Sequence, residues 1–135
     1  MGLLTIVREG VANRLFEYAR RAVALDPALE RGGGYRLLSR LHAEVPHVPF
    51  ISGWVDRKQV LPDAQRAFSI DPNDPGNRVI LAVALIERAP ARRAEAIALL
   101  GSVIEQPPRP SLLAEDLAIR EEARRRLEGL AEPST

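Results

Sequence analysis

Three stretches of this chain repeat one interval. Leu15, Ala19, Ala22 and Pro27 are followed by Val60, Ala64, Ala67 and Pro72, then by Ala96, Leu100, Val103 and Pro108. Steps of four and three return to the same face of an α-helix. The proline five residues further on cannot continue that helix. The first two stretches even end alike, as Ala24-Leu25-Asp26-Pro27 and Ser69-Ile70-Asp71-Pro72. Each set therefore reads as a helix whose small residues let a neighbouring helix approach closely, closed by a forced turn. Repetition of such a unit predicts an all-α fold of helical hairpin repeats with five to seven helices. Aromatic residues make up only 4% of the chain, and Ala and Leu dominate, which favours helices over a β-sandwich. With 135 residues, 46% of them hydrophobic, one domain over 1–131 is expected, with a frayed tail at 132–135.

The breakers divide the chain into six helical segments. The first covers about 11–25, with Val11, Leu15, Tyr18, Ala19, Ala22 and Leu25 expected on its packing face. The second follows Gly32, Gly33 and Gly34, runs over 35–45 and buries Leu37, Leu38 and Leu41. The stretch 47–56 is apolar without helical period and is expected to pack down as a loop. Asp56 is the expected cap of a third helix reaching Ile70, which either kinks at Pro62 or begins there. The fourth opens on Asp74 as cap with Pro75 at its first position. It is apolar nearly all round and so is expected to be the most buried. The fifth covers 91–105. The sixth covers 111–130, capped by Ser111, with the pairs Glu121/Arg125 and Glu122/Arg126 on a solvated face.

Several classes of function are excluded by composition. A net charge of +1 gives no basic excess for general nucleic-acid binding. The absence of cysteine removes disulfides, zinc knuckles and thiol nucleophiles. The longest apolar runs, 79–86 and 97–100, fall far short of the ~20 residues a spanning helix needs, so no membrane insertion is expected. The first nine residues have neither the apolar length nor the cleavage site of a signal peptide. The sequence as it stands therefore reads as cytoplasmic.

The small-residue helix closed by proline resembles the second helix of the tetratricopeptide repeat, with its apolar-x3-aromatic-x2-Ala-x4-Pro signature. The resemblance implies a right-handed tetratricopeptide-like array and a protein-interaction role. Proline-to-proline distances are 45 and 36 residues, against 34 for a regular repeat. Ala19 and Ala64 stand where that signature has an aromatic. A narrower likeness rests on Gly32-Gly33-Gly34-Tyr35-Arg36-Leu37-Leu38, Pro46-x2-Pro49, Gly53-Trp54, the run from Asp71 to Arg78, and Glu115-Asp116. In these the chain resembles the T component of TRAP-type transporters. That implies an accessory role beside a periplasmic solute-binding protein, and a periplasmic location if the true start lies upstream of Met1. Members of that family carry an export signal and a lipid-anchor cysteine, and neither occurs here.

No residue set points to catalysis, a metal or a cofactor. His42 and His47 flank a helix end with only Glu44 and Asp56 nearby, and a metal site needs three or four converging ligands. Ser39 and His42 have no orienting acid at a sensible offset. The glycine triplet lacks the Gly-Lys-Ser/Thr of a phosphate loop and is expected to allow close helix approach. Glu115, Asp116, Glu121 and Glu122 read as a solvated, salt-bridged helix face. Arg36 and Arg40, one turn apart, and Asn77 with Arg78 begin helices that would line a concave surface. They are candidate partner-binding residues, the plainer alternative being arginines in local ion pairs. Phe50 and Trp54 join them, either as an interaction patch or as core beneath their loop. The expected function is thus a non-catalytic scaffold that presents a concave helical surface and the 50–54 loop to another protein. An incomplete first unit would leave apolar surface exposed, to be covered by residues 1–7, a second copy or a larger subunit.

Overall fold

The computed structural model describes residues 3–131; the expected frayed tail lies outside the described residues. So do the side chains of residues 1–7, and with them the cover expected of that segment. Six α-helices follow one another: α1 (Leu3–Leu25), α2 (Gly33–Glu44), α3 (Val60–Ile70), α4 (Pro75–Arg88), α5 (Arg93–Glu105) and α6 (Leu113–Ala131). Single 3-10 turns precede α2, α3, α5 and α6, and the described residues contain no strand. None of these helices is long and apolar enough to cross a membrane.

Each helix packs on the next, and α4 also lies against both α2 and α6. The repeated stripe is buried in α3, through Val60, Ala64 and Ala67, and in α5, through Ala96, Leu100 and Val103. Helix α4 supplies most of the core, with Val79, Ile80, Leu81, Ala82, Ala84 and Leu85 all buried. A fully buried Leu such as Leu85 contributes about 2–3 kcal/mol. Asp74 and Pro75 open α4 as their order in the sequence indicates: the Asp74 side chain accepts the Asn77 N–H, and Pro75 takes the first helical position.

The first helix departs from expectation. It begins at Leu3 rather than near Val11, and it packs through Ala12, Phe16, Ala19 and Val23. Of the expected face, Ala19 is buried and Ala22 half-buried, whereas Val11, Leu15, Tyr18 and Leu25 are exposed. The reason is the position of α2. A Cβ on Gly34 would stand 2.8 Å from a methyl of Val23, so the glycine allows α2 to press on the Val23 side of α1. Gly32 adopts φ +89°, and a Cβ there would meet the Ala67 backbone of α3 at 3.2 Å. The glycine triplet therefore serves close approach to two helices at once.

Other boundaries are resolved by hydrogen bonding. Asp56 caps a 3-10 turn (Arg57–Gln59) that runs into α3 without a kink. Pro62 falls in the first turn, where its missing N–H has no helical partner to lose. Ser111 sits within the 3-10 turn Pro110–Leu112 and caps nothing. Asp116 reaches back to accept the Arg109 N–H at 2.8 Å in its place. Glu121 pairs with Arg124 at 2.7 Å rather than with Arg125.

Candidate functional site

Three helices present one stripe each to a common hollow. Gly33, Arg36, Leu37 and Arg40 recur at helical spacing on α2; Gly76, Val79, Ile80 and Val83 do so on α4; Ile119, Glu122 and Arg126 do so on α6. The hollow has two adjoining compartments. One, of about 240 Å³, lies over Leu37, Val79, Ile80 and Ile119; the other, of about 170 Å³, lies over Ala43, Val83 and Ala84. Arg40 and Ile80 line both. Above Ile80, Arg40 reaches from α2 to α6 and donates to both carboxylate oxygens of Glu122, at 3.2 and 3.3 Å. Glu44 and Arg126 flank this bridge, at 3.4 Å from Arg40 and 3.6 Å from Glu122. The result is an apolar floor crossed by one solvent-accessible ion pair. Glu122 therefore belongs to the hollow and not to the solvated outer face expected for it.

One end of the hollow is closed by a buried polar cluster. Asp74, whose side chain is 2% exposed, accepts Arg31 Nε at 2.9 Å, Arg109 Nη1 at 3.1 Å and Arg36 Nη1 at 3.5 Å. Burial would raise the Asp74 carboxyl, but the Arg31 hydrogen bond, the charges of Arg36 and Arg109 and the Asn77 N–H outweigh it. They hold the group below the usual carboxylate range. Asn77, fully buried, accepts from Arg36 at 2.8 Å and donates to the Arg31 and Asp71 carbonyls at 2.8 and 2.9 Å. Arg109 also pairs with Asp116 at 2.7 Å, and this hydrogen bond lowers the Asp116 pKa. Asp116, expected on a solvated face, is thus buried. The cluster fastens three inter-helix connections together, and it over-determines Glu30 and Arg31, which sit at φ 50° and 58°.

The six candidate partner-binding residues separate accordingly. Arg36 and Asn77 meet, but within this cluster. Arg78 donates to the Pro72 carbonyl at 2.7 Å and to Gln106 at 3.2 Å, so it too is held internally. Arg40 alone of the four lies across the hollow. Trp54 stacks on Phe16 with centroids 4.2 Å apart, and its Nε1 donates to Asn13 at 2.6 Å, so it is core beneath the loop. Phe50, in the same loop, is fully exposed at φ 67° and takes no part in that core.

His42 holds that loop. Its Nδ1 accepts the Asp56 N–H at 3.0 Å, its carbonyl accepts Arg57, and its ring packs edge-on to Phe16 and Trp54. Burial lowers its pKa, with Arg57 adding to the effect and Asp56 opposing it. Asp63, 3.9 Å from His42 Nε2, is pushed by burial up to about 6. Both perturbed groups lie beneath the loop, away from the hollow.

Sequence reasoning places Leu37 and Val83 among the packed residues and passes over Ile119, so none of the three is marked as floor of a site. The signal that finds them is the interleaving of Arg40, Glu122 and Arg126 with apolar residues at helical spacing. No family model matches the chain, and neither a curated protein nor a solved structure matches it.

Proposed function

We propose that this chain is a non-catalytic protein-interaction scaffold whose concave face, lined by α2, α4 and α6, receives a segment of another protein. In this reading the helices form a tetratricopeptide-like array. Helices α1, α3 and α5 carry the repeated small-residue stripe, and α2, α4 and α6 line the hollow, the division of labour of stacked hairpins. The observation that carries the proposal is the pair of adjoining apolar compartments beneath the Arg40–Glu122 bridge. Their chemistry suits apolar side chains anchoring a segment whose polar groups meet Arg40, Glu44 and Arg126. The features behind the transport-accessory reading, including Gly32, Gly34, Trp54, Asp74 and Asp116, make internal contacts in this structure, and nothing outside them favours it.

Selection of a displayed random-peptide library on the folded protein tests the proposal. Enriched peptides should carry apolar anchors and lose at least tenfold in affinity, about 1.4 kcal/mol, on Leu37→Glu or Val83→Lys. Both residues are half-buried on the hollow's wall, and circular dichroism checks that each variant remains folded. Peptides insensitive to both substitutions, or no enrichment, would overturn it.

A further inference from the structure

The loop of residues 45–56 is fastened to the helices beneath it at two points. On α1, Asn13 donates to the Ile51 carbonyl at 2.8 Å and accepts Trp54 Nε1. On α2, His42 accepts twice. Its Nδ1 takes the Asp56 N–H at 3.0 Å, and its carbonyl takes the Arg57 guanidinium, which also donates to the Val45 carbonyl at 2.9 Å. The hydrogen bonds of Ser52, with Val48 and Pro46, stay within the loop. Between the two points Trp54 lies stacked on Phe16, with the His42 ring edge-on to both.

Only the point on α2 depends on a proton. An imidazole that accepts at Nδ1 is neutral and keeps its hydrogen on Nε2, here 3.9 Å from Asp63. A second proton can go only to Nδ1. It turns that atom into a donor facing the Asp56 N–H, so the bond is lost and two N–H groups confront each other. The residue is 5% exposed, so water cannot supply a substitute while the loop is closed. The charged groups facing the ring are Asp63 from α3, itself beside Arg66, and Asp56 and Arg57 from the loop and the turn after it; α1 presents only the Phe16 ring. Arg57 repels a charged imidazole. Asp56 and Asp63 attract it, but burial raises the Asp63 carboxyl to about 6, so Asp63 is itself neutralised as pH falls through that value. Burial, aided by Arg57, holds the His42 pKa below 6.5 against Asp56. The closed loop therefore binds the proton more weakly than an exposed ring would, and by linkage acid favours the open loop.

We infer that the 45–56 loop is a proton-released latch: neutral His42 keeps it closed over Phe16, and protonation of Nδ1 lets it lift away while the helices stay packed. Release starts at Asp56, carries Trp54 off Phe16 and opens the ring of His42 to water. The latch lies away from the hollow and does not rest on the peptide-binding proposal.

Titration of the full chain from about pH 7.5 to about pH 4.5 tests it. The His42 ring is followed by nitrogen NMR, and the loop by the emission of Trp54, the chain's single tryptophan. Emission should shift to the red, and protection of the Asp56 amide against exchange should fall at least about tenfold. Both changes should track the ring while the α4 amides keep their protection. His42→Asn places near Nδ1 an amide oxygen that accepts the same N–H but takes no proton, so this variant should stay closed throughout. Ring and loop are both read on the wild type as well, so the result does not hinge on how the variant folds. A ring that protonates with the loop still closed, a ring that stays neutral until α4 opens, or a His42→Asn variant with the wild-type transition would each overturn the inference.

Discussion

Asp74→Asn separates the two tasks of a buried carboxylate in the polar cluster. Asparagine caps a helix about as well as aspartate, so the bond to the Asn77 N–H survives while the charge facing three arginines is lost. The arginine side chains are 33%, 18% and 26% exposed, so water screens them in part. An exposed pair contributes at most about 1 kcal/mol, and breaking a buried one costs about 3–5 kcal/mol. Three partly screened pairs around one buried carboxylate place the loss at about 2–3 kcal/mol. For a chain of this size that lowers Tm by roughly 8–12 °C. Asp74→Ala should cost about 1 kcal/mol more, the value of the cap. Urea unfolding followed by circular dichroism reads both. The pH dependence supplies a second check. The folded-state pKa of Asp74 is depressed, so the charge contribution is fully present above the ordinary value of 3.8 and fades as pH falls below it. The gap between wild type and Asp74→Asn should therefore be constant from about pH 8 to about pH 5 and narrow towards about pH 3. A gap below about 0.5 kcal/mol at neutral pH would refute the cluster as a fastening of the fold.

Asp63→Asn should stabilise the protein at about pH 7.5 and leave it nearly unchanged at about pH 3. Burial raises this carboxyl from 3.8 to about 6, so the folded state binds the proton more tightly, and wild-type stability falls as pH rises across that interval. The gain is at most about 3 kcal/mol, read from urea melts at the two pH values. Gly32→Ala should cost about 2–3 kcal/mol, combining a left-handed alanine with a Cβ pressed on the α3 backbone. A loss in Tm of less than ~3 °C would mean that α2 and α3 can separate without penalty.

Local chemistry is legible in the sequence where it is decided locally. Asp74-Pro75 announces the start of α4, the proline after each small-residue stripe announces a turn, and both signals act within one helical turn. The packing face of α1 is legible only in its small residues, Ala19 and Ala22. Two stripes fit the helical period there, Val11-Leu15-Tyr18-Leu25 and Ala12-Phe16-Ala19-Val23. The larger side chains favour the first, yet Gly34 and Trp54 bring α2 and the loop onto the second. The arginines pose the same difficulty. Arg31 and Arg109 look like any of the chain's other arginines, and only contacts 43 and 35 residues away put them on Asp74. The hollow is half legible: the place of Arg40 on α2 points to a concave face, but Glu122 reads as solvated because its partner lies 82 residues away.

Arg36 and Arg40, one turn apart on the same helix, have opposite mechanical consequences for the hollow. Arg36 forms its end wall and is fixed by Asn77, by Asp74 and by the Arg31 carbonyl. Displacing it would strip hydrogen bonds from a buried amide and weaken a buried carboxylate's compensation, a loss that no single side-chain insertion offsets. Arg40 is held only by carboxylates at 3.2 Å or more and remains 38% exposed. Its bridge is therefore worth at most about 1 kcal/mol. Under the proposed function, an incoming segment would meet a fixed wall at the Asp74 end and only the weakly held Arg40–Glu122 bridge in the middle. Displacing that bridge, which lies between two compartments that share Ile80, would free Glu122 and Arg40 to pair with such a segment. The specificity of the site is accordingly expected to reside in the apolar floor and the fixed end, while Arg40 governs how readily the floor is reached.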